Sequence, residues 1–489
     1  MAGFSLINLV KPILPILPEV ELPYEKISFD DKMVYTISSG LIYLLTQFPL
    51  AGVSKDTINV NDPIYFLRGV FAAEPRTLLE FGIFPIVSSA LILQLLAGLK
   101  YIKVNFKVQQ DRELFQSLTK LFAFVQYFIL ANVFIFSGYY GENLSVSQIS
   151  FLNFQLVGAG VFATLIIEVI DKGFGFTSGI MAINTLVIAT SVVSDAFGFT
   201  QIPINAEGDK EAQGAFINLL QGFGSKHKTL VESIISAFNR DYLPNLATTL
   251  IVILIGAIVS YFLCYTIELA IRSTRARGMN NVYPVRLVYA GALSISFSYV
   301  LLFFIHVAAF TLIQVVANND PAHIICKFLG HYETVNNILY VPSFPLSLLA
   351  PPRSFFGGVV SNPLSFVTFT LFVVVTGIWF SFHWQRISGA SAKDLAVQFK
   401  DQGITLQGRR EQNISKELDK FIPVAATTGA AVLALLTVAG ELLGLKGKSA
   451  AIVVGVAGGF AILELVSVEY QQTGDNSALS QVFGVATGL

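Results

Sequence analysis

Six arginines in this chain are placed to grip phosphate. Arg272, Arg275, Arg277 and Arg286 fall in the stretch RSTRARGMNNVYPVRL, and Arg409 and Arg410 stand together further on. A guanidinium presents a rigid fork of donors that matches phosphate, and each contact with a nucleic-acid backbone releases counterions. Gly278, Gly403, Gly408 and the Asn280-Asn281 pair are turn formers that would let both stretches project as hairpins. The plain alternative is topological, since Lys and Arg collect on the cytosolic side of any multi-spanning protein.

Signals for other chemistry are poor. Gly447-Lys448-Ser449 resembles the end of a phosphate loop, but Leu442 occupies the place of the required first glycine and no strand precedes it. His323, Cys326 and His331 offer three metal-ligating groups in one loop, but an irregular set of this kind is more often coincidence than a metal site. His306 stands alone in an apolar run with no carboxylate one turn away, which reads as a packed or pore-facing histidine. Transporters carry ionisable groups in mid-span. Here Glu168 and Glu464 lie near span ends and Asp195 lies outside, which weakens the rival reading of a secondary transporter of small solutes. Two cysteines, Cys264 and Cys326, are too few and too far apart for a disulfide framework or a CxxC motif.

Composition explains what must hold the arginines. Of 489 residues, 54% are hydrophobic and only 13% charged, about half the charge of an ordinary soluble domain. The chain is a membrane protein. Crossing the hydrocarbon takes about 20 mainly apolar residues in a helix, because every backbone group must be paired internally. Ten segments fit: Met33–Leu50, Ile83–Leu99, Leu114–Ser137, Phe151–Ile170, Phe176–Val193, Leu246–Ile267, Leu287–Ala317, Leu364–Trp384, Ile422–Ala439 and Ala450–Val468. The fold class is an all-α membrane protein of ten transmembrane helices. The N-terminal stretch has no basic start and is broken by Pro12, Pro15 and Pro18, so residues 1–32 read as a retained interfacial segment rather than a signal peptide.

Charge sets the orientation. Lys100, Lys103, Lys107 and Arg112 lie between the second and third segments, the opening arginines between the sixth and seventh, and Arg386, Lys393, Lys400, Arg409, Arg410, Lys416 and Lys420 between the eighth and ninth. This basic side, with both termini, is expected to be cytosolic. Residues 33–195 and 246–468 each hold five segments, and the odd number inverts the second half relative to the first. Residues 196–245 form a lumenal connection, 268–286 and 385–421 the two cytosolic loops, and 469–489 a cytosolic tail. Asn143-Leu-Ser145 is then a lumenal glycosylation acceptor, and Asn413-Ile-Ser415 a cytosolic one that stays unmodified.

Asp62–Phe71 is half a bilayer long. It starts with Asp62 as N-cap and Pro63 in the first turn, and stops before Glu74-Pro75. It is either a short surface helix or a re-entrant stopper inside a channel. Small residues at Gly158-Ala-Gly160, Gly429-Ala-Ala and Gly455-Val-Ala-Gly458-Gly459 suit close helix packing, or smooth faces on which two halves move.

Several blocks resemble the SecY family in its eukaryotic form, the alpha subunit of the Sec protein-conducting channel. They are Glu268-Leu-Ala-Ile-Arg-Ser-Thr-Arg-Ala-Arg-Gly278, Tyr283-Pro-Val-Arg-Leu287, Gln110-Asp-Arg-Glu-Leu-Phe115, Lys172-Gly-Phe-Gly175, Ile387-Ser-Gly-Ala-Ser391 and Gln398-Phe-Lys-Asp-Gln-Gly403. They run in family order from the neighbourhood of Leu17-Pro-Glu-Val20 to the tenth segment. The resemblance implies two inverted pseudo-symmetric halves around a central pore, a plug helix containing Asp62, Pro63, Tyr65, Leu67 and Arg68, and a hinge between the halves. It implies ribosome docking through Arg275, Arg277, Arg409 and Arg410. It implies a pore ring of Ile83, Val87, Ile180, Asn184, Ser296 and Val454, wetter than a fully apolar ring, and a lateral gate at Ser88, Leu130 and Phe304, greasier than the polar cluster of many eukaryotic members. These departures resemble the fungal accessory paralogue of the main channel. Two small single-span subunits, gamma-like and beta-like, are implied partners, together with the ribosome and its RNA, nascent chains, signal sequences and the lipid bilayer. The implied location is the endoplasmic reticulum membrane. No catalytic residue, metal or cofactor is called for.

Overall fold

Ser28 opens the first long helix by accepting a hydrogen bond from the Asp31 N–H, so α1 runs Phe29–Leu45 rather than the expected Met33–Leu50. The computed structural model describes residues 10–53, 62–106, 108–141, 144–203, 210–224, 230–238, 240, 244–273, 280–335, 339–352, 355–406, 414–445 and 447–473. Among these residues nine further long helices follow: α2 (Phe84–Gly98), α3 (Gln109–Phe136), α4 (Val146–Val169), α5 (Gly179–Phe197), α6 (Leu246–Cys264), α7 (Leu293–Thr311), α8 (Pro363–Ile387), α9 (Ile414–Leu442) and α10 (Ser449–Thr473). Each expected segment corresponds to one of them. Caps fix several starts. Ser145 and Gln148 exchange a reciprocal capping box at α4, and Asn245 accepts from the Thr248 N–H at 2.8 Å at α6.

Among the described residues, eight of these helices are long and apolar enough to cross a membrane. The other two are α1, with 17 residues, and α2, with 15. At 1.5 Å per residue they reach about 26 and 23 Å, short of the roughly 30 Å core. A helix as short as α2 suits a place where neighbouring helices rather than lipid surround one end, and its first residues are buried accordingly.

Where the expected segments ran too long, turn and strand residues explain it. The sixth helix stops at Cys264, and the β-branched residues from Thr266 continue as a strand. The seventh begins at Leu293 instead of Leu287, because Gly291, with φ of 57°, belongs to a turn before it. Among the described residues, seven short strands lie outside the helices: β1 (Gln201–Pro203), β2 (Lys210–Ala212), β3 (Thr266–Ser273), β4 (Asn280–Arg286), β5 (Tyr332–Val335), β6 (Leu339–Pro342) and β7 (Ile404–Leu406). They form two hairpins, β1–β2 and β5–β6, and one three-stranded sheet in the order β4-β3-β7.

The halves α1–α5 and α6–α10 meet along two seams. On one, α5 packs against α6 and α10; on the other, α2 packs against α7 and α8. Glycine makes the first seam close: a Cβ on Gly455 would lie 2.6 Å from Ile188, and one on Gly458 2.2 Å from Thr185. The main core joins residues of both halves with those of the short piece between α1 and α2.

Candidate functional site: a plugged passage between the halves

The short piece is less helical than its sequence suggests. Only Tyr65–Arg68 is α-helical, and Gly69–Phe71 tightens into a 3-10 turn that ends where Ala72 turns left-handed at φ 50°. Asp62 is not the N-cap of that helix. Ile64 occupies the position, and Asp62 instead accepts from the Ile64 N–H at 3.2 Å while its carboxylate is drawn to Arg68. Pro63 lies in the turn before the helix.

Arg68 is the hub of a buried ion cluster. Its Nε pairs with Asp62, its Nη2 donates to Asp62 Oδ1 at 3.0 Å, to Glu80 Oε1 at 2.5 Å and to the Tyr139 hydroxyl at 3.2 Å, and its Nη1 donates to the Glu80 carbonyl at 2.7 Å. Glu80 also accepts from the Arg76 N–H at 2.6 Å. Arg68, Asp62 and Glu80 are all buried. Burial pushes the Glu80 carboxyl up and works against the Arg68 charge, and the Asp62 and Glu80 carboxylates outweigh that effect at Arg68 and hold it charged. Glu80 and Tyr139 were not foreseen. A buried arginine needs carboxylate partners, and Glu80, twelve positions on, was within search of that rule.

Three consecutive carbonyls at the end of the piece are held by three different elements. Asn184 Nδ2 of α5 donates to Val70 O at 2.9 Å, the Ile83 N–H donates to Phe71 O at 2.8 Å, and the Tyr43 hydroxyl of α1 donates to Ala72 O at 3.1 Å. Aromatic edges complete the packing: Phe66 meets His306 of α7 at 5.0 Å, and Phe71 meets Phe84 of α2 at 5.0 Å and Phe303 of α7 at 6.1 Å. A Cβ on Gly69 would lie 3.0 Å from Ala451 of α10, and one on Gly447 would lie 2.6 Å from the Phe66 backbone. His306 is buried, with Nε2 3.3 Å from the Leu349 carbonyl.

The six ring candidates fall early in their helices. Ile83 and Val87 are buried at the start of α2, Asn184 is buried and Ile180 half-buried at the start of α5, and Ser296 and Val454 are buried at the starts of α7 and α10. Ile83 and Asn184 touch the short piece directly. The expected wetness is reduced, because Asn184 spends its donor on Val70 and Ser296 turns its hydroxyl back to Ala292 O at 3.2 Å.

The gate candidates converge on one turn of α2. Ser88 donates to Gln126 Oε1 of α3 at 2.5 Å, and Leu130 lies one turn beyond Gln126, buried. Phe304 sits 5.3 Å from Phe84, one turn before Ser88, and Phe84 stacks on Phe303 at 3.6 Å. Gln126, Phe84 and Phe303 were missed. The stacked pair closes the α2–α7 seam with apolar surface, and the Ser88–Gln126 pair is the polar contact beside it.

Arg275, Arg277, Arg409 and Arg410, expected to dock a ribosome, lie outside the described residues, as do the expected glycosylation acceptors Asn143 and Asn413. The strands that carry them are described. β3 and β4 pair from Thr266–Arg286 to Arg272–Asn280, and β7 adds to the other edge of β3 through Ile271–Leu406, Arg272–Thr405 and Ser273–Ile404. The two basic loops therefore leave one sheet. Arg286 is engaged elsewhere: Nη1 donates to Glu464 Oε2 of α10 at 2.6 Å and Nη2 pairs with Oε1.

The remaining candidates have structural employment. Lys448 pairs with Asp195, Ser449 donates to Thr437 O at 2.7 Å, and the N–H groups of Gly447 and Ser449 bind the buried Glu441 carboxylate at 2.7 and 3.0 Å. Glu441 escaped notice because the ninth segment was ended at Ala439. His323 caps a short helix through the Ile325 N–H, Cys326 is buried, and His331 contacts Glu333 and Ser343. Among the described residues, no three His, Cys, Asp or Glu side chains are grouped to hold a metal.

Known proteins match this architecture along its length. The SecY family model matches residues 77–473, and a second model, the plug domain of Sec61p, matches 41–75. The chain is 68% identical over 486 residues to the "Sec sixty-one protein homolog" of Saccharomyces cerevisiae, covering 99% of both. To the "Protein transport protein SEC61 subunit alpha" of Debaryomyces hansenii it is 34% identical over 476 residues, covering 96% of this chain and 97% of that one. The idle yeast Ssh1 complex bound to the yeast 80S ribosome, a cryo-EM structure, superposes at a TM-score of 0.80 with 68% identity over 99% of each chain. Twice the identity to the homolog as to the alpha subunit matches the accessory paralogue rather than the main channel. The chain belongs to the SecY family and is the pore-forming subunit of a protein-conducting channel.

Proposed function

We propose that the chain forms a channel of the endoplasmic reticulum membrane that passes nascent secretory polypeptides across and releases membrane segments sideways, with a ribosome docked on its two basic loops. The observation that carries this reading is the half-length piece packed where both halves meet, roped to α1, α2 and α5 through its own carbonyls. Such a piece is suited to plug a passage at rest and to leave it when the halves part. Asp62, Pro63, Tyr65, Leu67 and Arg68 belong to that plug. Ile83, Val87, Ile180, Asn184, Ser296 and Val454 line the constriction, and Ser88, Leu130 and Phe304 the lateral gate. A signal sequence, itself an apolar helix, enters at the α2–α7 seam, and its transfer into lipid drives opening.

Arg275, Arg277, Arg409 and Arg410 contact ribosomal RNA. Support comes from the shared sheet below them and from the yeast relative solved on a ribosome. Both termini face the cytosol, residues 196–245 form the lumenal hinge, and two small single-span subunits complete the complex. Solute transport is disfavoured, because two carboxylates within the helices are already engaged: Glu168 by Lys120 and Lys172, Glu441 by two backbone N–H groups. Ribosome co-sedimentation tests the docking. Arg277→Glu with Arg410→Glu is expected to abolish binding at moderate salt, and unchanged binding with unchanged salt sensitivity contradicts it.

A further inference from the structure

Between the end of α8 and the start of α9 lies a cavity of about 650 Å³, lined by Gln385, Arg386, Ser391, Lys393, Asp419 and Pro423 among others. Arg386, Lys393 and Asp419 face it and are exposed, yet among the described residues none of the three makes an ion pair. Arg386 is steadied instead by the Phe382 ring, 4.4 Å below its guanidinium. At the floor, Gln385 is only 3% exposed and spends one N–H on Phe382 O at 3.2 Å; its other N–H and its Oε1 have no partner among the described residues. An amide with spare polar atoms open to the cavity, beneath charges of both signs that make no ion pair, suits a polar occupant that carries both signs.

The approach to the cavity is apolar. Leu364, Leu371, Val375 and Trp379 are exposed and recur at helical spacing on one face of α8, which continues through Phe382 to Arg386. A greasy stripe that ends in cations is complementary to a phospholipid. Asp419 repels a plain anionic headgroup, but it accepts hydrogen bonds from a primary ammonium, which a quaternary choline cannot donate.

We propose that this cavity holds the headgroup of an ethanolamine-type phospholipid, with its phosphate on Arg386 and Lys393, its ammonium on Asp419, a phosphate or glycerol oxygen on the Gln385 amide, and its acyl chains along α8. The site shares no lining residue with the plugged passage or with the four docking arginines.

Native mass spectrometry of the complete membrane complex tests this, after exchange into nanodiscs of phosphatidylcholine mixed equally with phosphatidylethanolamine or phosphatidylglycerol, with no ribosome present. The wild type is expected to retain phosphatidylethanolamine over phosphatidylcholine. Arg386→Glu and Lys393→Glu should each lower that retention about tenfold, as expected for loss of a charged hydrogen bond. Asp419→Asn should keep the lipid but shift selection from ethanolamine to glycerol headgroups. Thermal unfolding of each variant separates a lost site from a lost fold, and the Asn variant reports on selection even where a charge reversal unfolds. Equal retention of choline and ethanolamine lipids by the wild type, unchanged retention in a folded Arg386→Glu complex, unchanged selection in Asp419→Asn, or a protein in place of the lipid overturns the assignment.

Discussion

The side-chain amide of Asn184 donates to the backbone carbonyl of Val70 at 2.9 Å, so a residue proposed for the constriction is bonded directly to the short piece between α1 and α2. Asn184 is buried, and its polarity is consumed by this bond rather than offered to water.

Asn184→Ala leaves the Val70 carbonyl buried without its partner, at a cost of about 1–3 kcal/mol. The neighbouring bond from the Ile83 N–H to Phe71 remains, so the piece should loosen rather than leave. Ion conductance through reconstituted channels is expected to rise about tenfold. Wild-type conductance in this variant would mean that the bond does not hold the seal.

The Arg68 cluster makes a sharper case. Arg68→Met strands Asp62 and Glu80 as unpaired buried carboxyls, and breaking a buried pair in this way costs about 3–5 kcal/mol. The midpoint of thermal unfolding should fall and the leak should rise. Adding Asp62→Asn and Glu80→Gln to the same chain removes the stranded charges and should recover part of the loss. No recovery would show that charge pairing is not what holds the piece.

At the proposed gate, the Phe84–Phe303 stack at 3.6 Å contributes about 0.5–1.5 kcal/mol beyond the area it buries. Phe303→Ala should let less hydrophobic signal sequences open the α2–α7 seam. The readout is the minimum leucine content accepted in a graded leucine–alanine signal series, and an unchanged threshold counts against a gate at this seam.

The shared sheet separates preorganisation from charge. Thr405→Pro removes a donor from the three-residue β7 strand and fixes its backbone, while every arginine stays in place. Ribosome affinity should drop severalfold with its salt dependence little changed. Full affinity would show that the two loops bind independently.

Much of this fold was readable from sequence because lipid and protein core make the same demand. Long apolar runs such as those around Val252 and Phe303 have no other use, and basic loops mark their ends. Helix ends were less legible. Glu441 lies beyond the expected ninth segment, which stops at Ala439, although its carboxylate caps the turn into α10 from inside α9. The short piece before α2 was visible as a misfit in length, but its fastenings were not, since Tyr139 and Asn184 reach Arg68 and Val70 from 71 and 114 positions away. The loop sheet was invisible for a similar reason. β7 has three residues, too few for an alternation pattern, and its partner β3 lies more than a hundred positions earlier.

A translocating polypeptide is predicted to pass between the halves at Asn184. Cysteine crosslinking to a ribosome-arrested secretory chain tests it, with Val193→Cys as the control. Val193 lies on the same helix, nine positions on and so on the opposite face, and is 58% exposed toward the outside of the bundle. Adducts are expected at Asn184→Cys and not at Val193→Cys. Adducts at Val193→Cys alone, or none at Asn184→Cys over a range of arrested lengths, would contradict the account.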